Sequence, residues 1–236
     1  MTPEVPPDIR MAATAGGLLW WLNALLAHTA PPDRATEHLS GRVLLPGDSD
    51  PTSWTLALAA LRQGPSLRLC LVAPGDPLGL PGPAAVTAEI VTAGVALLSD
   101  DFALVPDPPG RVDSLWRGLA TAPTSSYASP LGTLSEARSL MRTAMAELTA
   151  GAATRDPDDR TLTGIAALRR FEVPSPPPGV DPVAAQVADT ALRVWWLTTL
   201  VVEQAERGGE SPPDGLGELR PLARRAASVA FSEPVG

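Results

Sequence analysis

The apolar positions of this chain follow two rhythms, and the change between them falls near residue 130. The first long run is Met11 to Ala30, twenty residues without a charge that include Leu18, Leu19, Trp20, Trp21, Leu22, Leu25 and Leu26. It is long enough to cross a bilayer, yet Gly16, Gly17, Asn23 and His28 dilute it and no basic cluster anchors either end. Its lead, Met1 to Arg10, sets Glu4 and Asp8 against a single arginine. A signal peptide or a membrane span needs the opposite flanks, so the run is expected to be a buried core helix.

Arg42 to Pro46 then reads as a short apolar strand, broken by Gly47-Asp48-Ser49-Asp50-Pro51. Asp50 as N-cap and Pro51 at the first helical position would open a helix from Thr52 to about Arg62, burying Trp54, Leu58 and Leu61. A second apolar run, Leu67 to Ala73, follows and stops at Pro74-Gly75-Asp76. Strand, helix and strand within roughly thirty residues is the spacing of a right-handed crossover, which would make the two strands parallel neighbours.

Leu78 to Pro83 is too rich in proline and glycine for a regular element. Ala84 to Ala93, closed by Gly94, reads as a helix, although Val86, Ile90 and Val91 would also suit a strand. Phe102–Pro106 and Arg111–Trp116 flank Asp107-Pro108-Pro109-Gly110, the pattern of an antiparallel hairpin. Beyond residue 130 the period becomes helical: Leu134 to Thr149, Asp158 to Arg170, a long helix capped by Asp181 with Pro182 first and ending near Arg207, and a last one from about Gly217 to Phe231. Pro174 to Gly179 is a stiff linker between them. The fold expected is mixed α+β: a small sheet with a parallel βαβ unit and a hairpin, packed with a helical C-terminal half. Residues 1–130 and 131–236 are the two regions, joined in one globular unit.

Composition removes many functions. The chain has no lysine, two histidines, one cysteine and one tyrosine. Without lysine there is no Schiff base, no pyridoxal phosphate linkage and no phosphate-binding lysine after a glycine loop. A formal charge of -8 with no basic run argues against nucleic acid, whose affinity comes from clustered cations. One cysteine forms no internal disulfide, and His28 and His38 do not make a zinc set. Both histidines are expected to be structural, Cys70 lies in an apolar strand, and the pairs Arg169-Arg170 and Arg224-Arg225 read as solvated faces or carboxylate partners.

Two constellations remain. Trp20-Trp21-Leu22 and Trp195-Trp196-Leu197 repeat one pattern, W-W-L-x-x-L-aliphatic, on two apolar helices. Neighbouring tryptophans diverge by about 100° on a helix, so each pair needs cover on two sides. They form either a shared core or, with one ring of each pair left exposed, a partner or self-association surface. Pro46-Gly47-Asp48 and Pro74-Gly75-Asp76 each follow a strand. If those strands are parallel neighbours, Asp48, Asp50 and Asp76, joined by Asp100 or Asp101, would share the carboxyl edge of the sheet and could hold a divalent cation. Gly75, Gly79 and Gly82 would let the backbone approach a ligand there. Turn chemistry alone also accounts for these residues.

The lysine-free, Ala/Pro/Gly/Arg-rich character and the stretch Ala73-Pro74-Gly75-Asp76-Pro77-Leu78-Gly79-Leu80-Pro81-Gly82-Pro83 resemble uncharacterised proteins of high-GC actinobacteria. The resemblance implies a bacterial cytoplasmic setting and transfers no functional residue. The residues favour a non-catalytic cytoplasmic binding or regulatory protein, without resident cofactor, membrane or nucleic acid, that acts on a protein or small ligand. The alternative is a metal-dependent enzyme using Asp48, Asp76 and Asp100.

Overall fold

The computed structural model describes residues 5–62, 66–73, 80, 83–121, 132–152, 157–212 and 215–236. Helix α1 (Pro7–Leu26) begins with proline at its first position and Asp8 in its first turn, both suited to a helix N-terminus. Most of its residues are buried, which is why the sequence shows no apolar stripe: this helix is covered on several sides. Gly16 and Gly17 permit that cover. A β-carbon at Gly16 would lie 2.4 Å from the Phe231 ring, and one at Gly17 would lie 2.6 Å from Pro174, so the proline-rich linker is laid directly on α1.

After the short α2 (Pro32–Thr36) come β1 (Arg42–Leu44), β2 (Thr52–Ser53), α3 (Trp54–Leu61) and β3 (Arg68–Leu71). The cap of α3 is Ser53, whose hydroxyl accepts from the Leu56 N–H at 3.4 Å, and not Asp50. Thr52 and Ser53 are drawn back onto Val43 and Arg42 as a two-residue antiparallel strand, which delays the helix to Trp54. Next are α4 (Ala84–Ala93), closed by Gly94 in the left-handed region at φ 75°, then β4 (Val95–Leu98), β5 (Phe102–Asp107) and β6 (Leu115–Ala120). The hairpin is therefore present with its second strand four residues later than its sequence pattern suggests, because residues 111–114 complete the turn.

The sheet runs β2-β1-β6-β5-β4-β3, and this order overturns the crossover expectation. β1 and β3 are separated by three strands and run in opposite directions; the parallel pair is β1 with β6. Two short connections favour pairing β4, β5 and β6 as an antiparallel meander, because closing small loops costs the least entropy, and β3 joins β4 antiparallel through the longer segment that carries α4. β6 then meets β1, which leaves α3 as a connection across the sheet instead of between neighbours.

Helices α5 (Leu134–Ala152), α6 (Asp159–Arg170), α7 (Pro182–Arg207) and α8 (Leu216–Phe231) complete the chain. The main core draws from both regions, from Ile9 to Val235. β3 is an edge strand whose outward groups are met by helix side chains: Asn23 Nδ2 donates to Leu67 O, while the N–H groups of Leu69 and Leu71 donate to the hydroxyls of Ser232 and Ser228. Covering an edge in this way removes a template for unwanted strand pairing. Among the described residues, no helix is long and apolar enough to cross a membrane.

Candidate functional site

Local sequence explains the first Pro-Gly-Asp loop. Pro46 and Gly47 are the central residues of a turn closed by the Asp48 N–H donating to Leu45 O at 3.1 Å, and Gly47 takes φ 91° as a type II turn requires. Asp48 and Asp50 are exposed at this loop. Asp100 and Asp101 form the tight connection from β4 to β5, where the Ser99 N–H donates to Phe102 O. Asp100 faces Arg68 at 3.8 Å across an exposed pair, and the Thr121 N–H donates to Asp101 O.

Strand direction separates these carboxylates. β1, β4 and β6 end at one edge of the sheet, whereas β3 ends at the other. Asp48 and Asp100 share an edge, but β6 and β5 lie between their strands, a lateral separation of roughly 14 Å at the usual strand spacing. The loop after β3 departs from the opposite edge, so the premise that both Pro-Gly-Asp loops follow parallel neighbours is corrected. Asp76 itself, with Gly75, Gly79 and Gly82, lies outside the described residues. Among the described residues, no three His, Cys, Asp or Glu side chains gather to hold a metal ion.

The four paired tryptophans lie inside the main core, with exposures of 1% for Trp20, 6% for Trp21, 3% for Trp195 and 1% for Trp196. Trp20 packs on Phe231 with ring centres 4.5 Å apart, and Trp196 meets Phe171 edge-on at 5.6 Å. Neither pair leaves a ring exposed for a partner surface. Arg224 departs from its solvated reading too: it is buried, with its guanidinium 5.8 Å from the Trp195 ring centre. His38 stacks flat on Trp21 at 4.2 Å, and Cys70 is buried in β3. His28 ends α1 at φ 60°, where the His28 N–H donates to Leu25 O and the Thr29 N–H to Ala24 O, the Schellman pattern with histidine where glycine is usual.

Among the described residues, recesses open between helices. One, about 460 Å³, lies between α5 and α8, with Ala137, Leu140, Ala226 and Val229 as apolar walls beside Glu136 and Arg225. Thr133 and Glu136 form a reciprocal capping box at its α5 end, where the Thr133 N–H donates to Glu136 Oε2 at 2.7 Å and the Glu136 N–H donates to Thr133 Oγ1 at 3.2 Å. Another, about 270 Å³, gathers Asn23, Leu26 and Ala27 from the end of α1, with Arg62, Ser66 and Val235. Sequence patterns do not announce either recess. The one usable signal is Asn23, a polar residue within an apolar run, near the end of α1.

Residues 15–129 match the family model of the Rv1486c-like protein, N-terminal domain. The matched stretch, just under half of the chain, takes in most of α1 and all six strands and ends where the helical half begins. The name is of mycobacterial type, in accord with the actinobacterial resemblance of the sequence, and it states no activity, ligand or partner. No curated protein and no solved structure matches the chain.

Proposed function

We propose that the chain is a non-catalytic cytoplasmic binding or regulatory protein that works through a protein or small-ligand surface. The observation that carries this reading is where the few side chains with reactive chemistry sit. His28 terminates a helix, His38 lies against Trp21, and Cys70 is packed under α4. Among the described residues, neither histidine is hydrogen-bonded to an acid, a base or an orienting carboxylate, the arrangement that nucleophilic catalysis needs, and the Cys70 thiol is buried. Surface for binding is supplied by the α5/α8 recess, whose apolar walls and flanking charges suit an amphipathic partner segment or a small molecule.

The test is thermal shift and calorimetry on the whole chain with small metabolites and with Mg²⁺ or Mn²⁺, beside cross-linking in the cytoplasm of the source cells. A ligand that binds only the folded state raises the melting temperature. The expected results are stabilisation by a small molecule, or a cytoplasmic partner held by the wild type and lost in Leu140→Glu. Metal binding abolished by Asp48→Asn or Asp100→Asn, with an accompanying hydrolytic or lyase activity, would replace the reading with a metal-dependent enzyme.

A further inference from the structure

We infer that the occupant of the α5/α8 recess is a second copy of this chain, held in a two-fold dimer. This deepens the binding reading and rests on it. Along α5, Ala137, Met141, Ala144 and Leu148 recur at helical spacing and are all buried, so they complete the face that this helix turns to the core. Leu140 is extra to that stripe. It lines the recess and is 36% exposed, and Met145, further along the same helix, is 37% exposed.

The charges of the recess are as informative as its apolar lining. Glu136 comes from α5 and Arg225, half-buried, from α8, and among the described residues neither holds an ion pair. Arg68, Arg193, Arg207 and Arg220 each hold a carboxylate. The capping box fixes Glu136 in place, because its Oε2 accepts from the Thr133 N–H at 2.7 Å, and its other oxygen is left for a cation.

A two-fold axis sets a patch against itself, so every contact between two different residues is made twice. Here that rotation brings Leu140 of one copy to the recess of the other, where Ala137 and Ala226 are small enough to leave it room. It also sets Glu136 against the partner's Arg225 at both ends. A foreign segment would need an apolar side chain, an acid and a base in that one arrangement, whereas a second copy has all three by identity. Complementary charge of this kind fixes the register of an interface. The recess spans about one turn of each helix, less than the roughly 800 Å² per partner of a standard interface, so the dimer should be weak, with Kd about 10–100 μM.

The experiment is sedimentation equilibrium of the whole chain from about 1 μM to about 1 mM, with ¹H–¹⁵N NMR over the same range. The wild type should pass from monomer to dimer, and the amides of Ala137, Leu140 and Val229 should shift with concentration. Leu140→Glu, Arg225→Glu and Glu136→Arg should each weaken the dimer at least about tenfold. Combining Glu136→Arg with Arg225→Glu should recover most of the loss, because the exchange restores both pairs. Glu136→Gln keeps the cap of α5 and removes only the charge, so it should weaken association with the helix end intact. Leu56→Glu, at the exposed Leu56 of α3, should dimerise as the wild type does. A chain that stays monomeric at about 1 mM overturns the assignment, as does a dimer that ignores the charge reversals, shifts other amides instead or is dissociated by Leu56→Glu. A monomeric chain whose Leu140→Glu variant still loses a cytoplasmic partner overturns the dimer alone and leaves the binding reading standing.

Discussion

The two faces of the sheet are covered in opposite ways. On one face α1, α7 and α8 bring a core that contains all six tryptophans and residues from nearly the whole chain. On the other, α4, with Leu80 before it, packs on an aliphatic patch of Cys70, Val72, Ala96, Leu98, Ala103, Val105 and Leu119, which holds no aromatic ring among the described residues. Arg117, on this second face, ties Glu89 of α4 at 2.5 Å and Asp107 at 3.3 Å, and those carboxylates, Glu89 first, raise its pKa. The pair is well exposed, and such bridges contribute about 0–1 kcal/mol. Buried apolar area therefore decides which face is strong, and the α4 face is expected to be the first to open locally.

The largest test of that contrast is Trp20→Ala. The ring is fully buried against Phe231, so its removal should cost about 3–5 kcal/mol in urea unfolding, a large part of a typical domain's total stability. Ile90→Ala, which empties the centre of the α4 face, should cost about 2–4 kcal/mol. The two should differ in kind as well. Hydrogen exchange should quicken across α4 in the Ile90 variant and leave α1 unchanged, whereas the Trp20 variant should quicken α1, α7 and α8 together. Global quickening by Ile90→Ala would show that the faces form one cooperative unit.

A smaller effect is expected where the strong face meets the sheet edge. Ser228→Ala removes the acceptor for the Leu71 N–H, a buried contact at 3.2 Å, and should cost about 1–2 kcal/mol by leaving that donor unpaired. Ser232→Ala, at a part-buried site, should cost less because water can replace the hydroxyl. Equal losses at both positions in thermal unfolding would mean that the edge is not sealed by α8.

Some of this architecture is legible in the sequence, and the reason differs by element. Asp181 with Pro182, Asp158, and Gly94 mark helix ends because capping is a local matter of one side chain or one left-handed residue. Asp50-Pro51 carries the same signal and misleads, since pairing of Thr52 and Ser53 with β1 overrides it. β4 escapes notice because its four buried residues show no alternation. The order of the strands is not local at all: the partner of β1 lies some seventy residues away, and nothing in Arg42–Leu44 selects Leu115–Arg117 over Arg68–Leu71. The candidate site suffers for the same reason. Pro46-Gly47-Asp48 is readable as a turn, but which carboxylates share an edge follows from strand direction, and the meeting of Asn23, Arg62 and Val235 depends on three separate chain segments.

The smallest effect concerns the outer rim of the helical side. Asp158 caps α6, accepting from the Thr161 N–H at 2.7 Å, and holds Arg207 of α7 at 3.0 Å. Hydrogen bonding from Thr161, and next from Arg207, keeps this carboxyl at about 2, below its ordinary 3.8. Because the folded value is the lower one, the unfolded chain binds more protons between the two. The stabilisation is complete above about pH 3.8 and is lost as pH falls towards 2. At neutral pH Asp158→Asn should be nearly silent, since asparagine also caps. Between about pH 3.8 and 2 it should flatten the fall in stability seen in urea titrations, with the change confined to exchange of the α6 amides. Curves for variant and wild type that stay parallel through that window would show that Asp158 is not what fastens α6 to α7, leaving Arg193 as the tie, through its bonds to Leu168 O at 2.9 Å and Phe171 O at 3.1 Å.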